Sequence, residues 1–70
     1  MSVEIAKSNI KKMIQLTFVE LIRVSEQIDD PRTPDHEARM LLEQLTRLKD
    51  ELNKYEYTLE MIELEEKYDG

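Results

Sequence analysis

Residues 38–62, ARMLLEQLTRLKDELNKYEYTLEMI, decide the fold. Within them Ala38, Leu41, Leu45, Leu48, Leu52, Tyr55, Leu59 and Ile62 recur at alternating spacings of three and four. An α-helix turns once every 3.6 residues or so, so this rhythm draws one unbroken apolar line along a single face. Such a line is the heptad seam against which a second helix packs.

The helix carrying that seam is expected to run from Pro34 to about Tyr68, a length of about 50 Å at ~1.5 Å per residue. Thr33 is placed to cap it, Pro34 suits the first helical position, and Asp35 and Glu37 complement the positive end of the helix dipole. Upstream, Asp30 precedes Pro31 and is pushed out of the α region, while Pro31 has no N–H to donate. Residues 30–33 are therefore read as a turn, and a first helix is expected to occupy residues 3–29. Ser2 is its candidate cap, and Val3, Ile10, Ile14, Thr17, Leu21, Val24 and Ile28 line one face, with Ala6 and Met13 beside it.

A connection this short leaves no chain to travel back along the bundle, so the two helices are expected to run antiparallel. Charge supports the same arrangement. It sets the basic start of the first helix (Lys7, Lys11, Lys12) beside the acidic end of the second (Glu56, Glu60, Glu63, Glu65, Glu66). The expected fold is an all-α, coiled-coil-like helical hairpin forming one domain over residues 1–70.

One hairpin leaves apolar side chains without cover. Ile5, Leu16, Phe18, Val19 and Ile22 spread around the first helix away from its seam, and Tyr57, Met61, Leu64 and Tyr68 form a second row on the other helix at spacings of four, three and four. Helices that are apolar on several sides are normally buried on several sides. A chain of 70 residues without cysteine has neither disulfides nor thiolate metal sites to staple a small core. Homodimerisation into a four-helix bundle, with the first helix near its centre, is the expected remedy. The core positions of that assembly are Ile10, Ile14, Leu21, Val24, Leu41, Leu45, Leu48, Leu52, Leu59 and Ile62.

A charged fraction of 37%, one glycine and two prolines fit long amphipathic helices rather than sheets or disorder. The amino terminus carries no signal-like apolar run and no segment long enough to span a membrane, so the expected location is cytoplasmic. The net charge of −6 disfavours binding to a nucleic-acid backbone, which draws on a basic surface to release counterions.

The residues that could carry chemistry are sparse. His36 is the only histidine and stands in the first turn of the second helix without a nucleophile partner, so it reads as a surface residue. Glu26-Gln27-Ile28-Asp29 and Glu60-Met61-Ile62-Glu63 space two carboxylates three apart. This resembles the paired helical carboxylates of the all-α nucleotide pyrophosphohydrolases, and the resemblance implies Mg²⁺-dependent hydrolysis. In one antiparallel hairpin, however, the first pair lies near the turn and the second near the open end, and both read as solvated charged faces.

Ser25-Glu26-Gln27-Ile28-Asp29 resembles, in scrambled order, the S-Q-E-L-D signature of small hairpin phosphatases acting on response-regulator aspartyl phosphate. In architecture alone the chain resembles plasmid-copy regulators of the Rop type, which implies a stripe for nucleic acid made by Arg32, Arg39, Arg47, Lys49 and Lys54. Those bases are interleaved with Glu37, Glu43, Asp50 and Glu51, a mixture that solubilises a helix and sets pairs such as Glu43 with Arg47. None of these resemblances matches enough residues to assign a family.

The residues point instead to a non-enzymatic protein-binding module, a regulator, inhibitor or assembly adaptor that needs no cofactor and no metal. Its expected partners are a second copy of itself and another protein. Tyr57, Met61, Leu64 and Tyr68 are the candidate anchors, ringed by Glu60, Glu63 and Glu65, and the same four equally read as core of the dimer. The alternative is a regulator that binds nucleic acid, or that mimics it through the acidic tail from Glu56 to Asp69.

Overall fold

The computed structural model describes the backbone of residues 3–69 and the side chains of residues 3–68. Two helices, α1 (Val3–Asp29) and α2 (Asp35–Asp69), pack against each other as an all-α hairpin. The molecule measures 53 × 16 × 15 Å, so its long axis is the length of α2 at ~1.5 Å per residue. Among the described residues no helix is long and apolar enough to cross a membrane. The expected cap Ser2 lies outside the described residues.

The heptad line of α2 is where the helices meet. Ala38, Leu41, Leu45, Leu48, Leu52, Tyr55, Leu59 and Ile62 are all partly covered, and every other α2 side chain up to Tyr68 is exposed. The matching face of α1 consists of Ile10, Ile14, Thr17, Leu21, Val24 and Ile28. Its centre is the tightest part of the fold, with Val24 only 2% and Thr17 only 7% exposed. Val3 and Met13, expected on or beside this face, are instead exposed.

Lys7 and Glu66 continue the two seams into the open end of the hairpin. Lys7 stands three residues before Ile10 and Glu66 four after Ile62, so both occupy seam positions. Their side chains pair across the helices, Lys7 Nζ to Glu66 Oε1 at 3.1 Å. The apolar seam thus closes in an ion pair, the contact anticipated from the basic start of α1 and the acidic end of α2. The lysine stem can cover apolar neighbours while its ammonium stays wet.

The turn is built from backbone and side-chain hydrogen bonds together. Thr33 N–H donates to the Asp30 carbonyl at 3.0 Å, closing a β-turn with Pro31 at its second position, where a fixed φ is favourable. Asp30 Oδ1 accepts from the Arg32 backbone N–H at 2.9 Å and from Arg32 Nε at 3.2 Å, while Oδ2 accepts from Nη2 at 3.1 Å. The Arg32 guanidinium, and then its backbone N–H, hold the Asp30 carboxyl below its ordinary value.

Thr33 works differently from the expected α2 cap. Its hydroxyl donates to the Gln27 carbonyl at 2.6 Å, satisfying one of the last carbonyls of α1, which have no partner within the helix. The first helical hydrogen bond of α2 runs from Ala38 N–H to the Pro34 carbonyl at 2.9 Å. Pro34 is therefore the residue just outside the helix, and α2 starts at Asp35.

Candidate functional site

The four sequence-predicted anchors share the far side of α2. Tyr57, Met61, Leu64 and Tyr68 each follow a seam position (Tyr55, Leu59, Ile62, Glu66) by two residues, which is a rotation of about 200° around the helix. The row therefore faces away from α1, not alongside the seam, and its members are 39–87% exposed. It is about three turns long, and its spacing of four, three and four matches the reach of side chains from a single docked helix.

Acids flank the row on α2. Glu60, Glu63, Leu64 and Lys67 line a shallow open depression beside it, and Glu56 and Glu65 are exposed nearby in sequence. From Glu56 to Asp69 the chain carries six acids against one base. Glu66 is turned inward to Lys7, so the acids left on the outward surface are mainly Glu56, Glu60, Glu63 and Glu65. An aromatic and thioether row bordered by carboxylates suits a partner with apolar anchors and basic flanks.

A second apolar surface lies on α1, where Met13, Leu16, Phe18, Val19 and Ile22 are 41–55% exposed. All five fall in the ten residues MIQLTFVELI at positions 13–22, around the middle of the hairpin. Leu16, Val19 and Ile22 succeed one another at intervals of three, so they form a continuous ridge with Phe18 at its edge. This ridge is bordered by charges of both signs, unlike the row on α2: Lys12, Glu20, Arg23 and Glu26. Arg23 Nη1 approaches Glu20 Oε2 to 3.8 Å on the same helix, while neither Lys12 nor Glu26 belongs to an ion pair among the described residues.

The other constellations do not assemble. Glu26 and Asp29 lie in the last turns of α1 near the connection, whereas Glu60 and Glu63 stand on α2 near the open end; all four are exposed. Among the described residues no three carboxylates, histidines or cysteines converge as metal ligands would. His36 is exposed in the first turn of α2. Of the five bases considered for nucleic acid, Arg32 is held by Asp30 at 3.1 Å and Lys54 by Asp50 at 3.4 Å. The expected Glu43–Arg47 pair is not among the ion pairs of the described residues.

The chain matches no protein-family model, no curated protein and no solved structure.

Proposed function

We propose that this chain is a non-enzymatic protein–protein interaction module. In this reading the hairpin pairs with a second copy into a four-helix bundle and offers the acidic carboxyl-terminal part of α2 to another protein. It acts as a small regulator, inhibitor or assembly adaptor. One observation carries the reading: Val24 is the only apolar side chain fully buried within the described hairpin, while large apolar side chains on both helices stay in water. A core that small is marginal for a chain of this length, and association is the remedy open to a cysteine-free sequence.

The two exposed surfaces suit different occupants. The mixed charges around the α1 ridge support contact with an identical chain, and the uniformly acidic border of the Tyr57–Tyr68 row supports contact with a basic one. Cross-linked capture from the native host tests the second contact, comparing the wild type with a Tyr57→Ser/Met61→Ser variant. The expected result is a captured protein that the variant loses while its own mass in solution is unchanged. Identical captures from the two proteins would refute the assignment of the row.

A further inference from the structure

We infer that two copies of this chain meet through an antiparallel α1–α1 contact whose two-fold axis passes at Val19. This inference rests on the dimer reading and specifies its geometry: Val19 stands two residues from the seam positions Thr17 and Leu21, so its strip faces away from α2 and the four helices would lie side by side with the two α1 helices in the middle. Leu16 and Ile22 lie three positions before and after it, Gln15 and Arg23 four, and Lys12 and Glu26 seven. Three residues along a helix rotate about 60° short of a full turn and seven about 20° short of two turns. All seven residues therefore share one strip of α1, and the structure leaves every one of them exposed.

The strip is complementary to itself when a second copy runs the opposite way. Val19 then meets Val19 of the other copy, Leu16 comes level with Ile22, and Gln15 comes level with Arg23. At the two ends Lys12 meets Glu26, once on each side of the axis, so both charges, which belong to no ion pair among the described residues, gain a partner. A parallel pairing would set Lys12 against Lys12, Arg23 against Arg23 and Glu26 against Glu26, each a like-charge contact. The same operation on the other exposed row fails for the same reason. Tyr57 would come level with Tyr68 and Met61 with Leu64, but Glu60 would come level with Glu65 at both ends. Self-association through that row would concentrate acids, whereas at α1 it pairs opposite charges.

The absence of cysteine makes the axis directly testable. In a Val19→Cys variant of the full chain, two thiols meet at the axis, so mild oxidation is expected to convert most of the protein into a disulfide-linked dimer. Tyr57→Cys, treated alike, is expected to cross-link only weakly. Lys12→Glu is expected to weaken dimerisation by about three- to tenfold, since it creates two like-charge contacts per dimer. The swapped variant Lys12→Glu/Glu26→Lys is expected to return within about twofold of the wild type, a rescue that a general loss of helix stability would not give. Circular dichroism checks that each variant keeps its helices. A wild type that dimerises, with no preference for cross-linking at residue 19 and no rescue by the swap, would overturn this geometry and leave the dimer reading standing. A wild type that stays monomeric at all concentrations would remove both.

Discussion

Asp30 orders the turn between the two helices through three hydrogen bonds to a single neighbour, Arg32. Because that contact holds its carboxyl below the ordinary value of 3.8, the contribution is fully present above that value and is lost as pH falls through the lower folded one. Asp30→Asn is therefore expected to melt below the wild type at pH 7, with the gap closing as the solution is acidified below about pH 4. Melting curves at a series of pH values give the comparison, and a gap that widens in acid would contradict the assignment. Thr33→Val keeps the shape of the side chain but removes the hydroxyl bonded to the Gln27 carbonyl, so a loss of about 0.5–1.5 kcal/mol is expected in urea unfolding. Val24→Ala is expected to cost more, about 1–3 kcal/mol, since Val24 is the most completely buried apolar side chain. Leu42, which is exposed, serves as the control for Val24, with a change within about 0.5 kcal/mol on substitution by alanine.

At the scale of the helices, the seam of α2 was fully legible because a spacing of three and four has one geometric meaning on a helix. Its eight residues are the ones that α1 covers. The proline-bounded turn was equally plain, since Pro31 and the restricted residue before it rule out a continuing helix. What was harder to read shares a physical reason: it depends on where a polar side chain finds its partner. Thr33 can cap α2 or serve the end of α1, and only the path of the turn selects the second. Lys7 and Glu66 carry the seam on as an ion pair, visible in the sequence only when the three-four spacing is extended through charged residues. The anchors Tyr57, Met61, Leu64 and Tyr68 were legible as a row, but a two-residue offset from the seam puts them on the opposite side rather than alongside. Lys7→Glu is expected to loosen the open end, and the swap Lys7→Glu/Glu66→Lys to recover it. The coupling stays below about 1 kcal/mol because both side chains are partly solvated. Hydrogen exchange over the last turns of α2 reads this effect, and equal protection in the single and swapped variants would count against the pair.

For the whole molecule, one length of α2 and two helix widths leave little interior, so the hairpin by itself has a surface far larger than its core. A partner that binds only the folded chain stabilises it by mass action, which ties the fold to protein concentration. Val19→Asp places a charge in the middle of the exposed α1 ridge without touching the α1–α2 seam, and it is expected to shift the protein to monomer while lowering the melting temperature. Sedimentation equilibrium across a wide range of concentrations, run beside melting curves of the same samples, measures directly whether the fold depends on a second copy. Twice the monomer mass is expected at working concentrations, with a melting temperature that falls on dilution as monomer appears. A single-copy mass throughout, with cooperative melting at one unchanging temperature, would contradict that dependence.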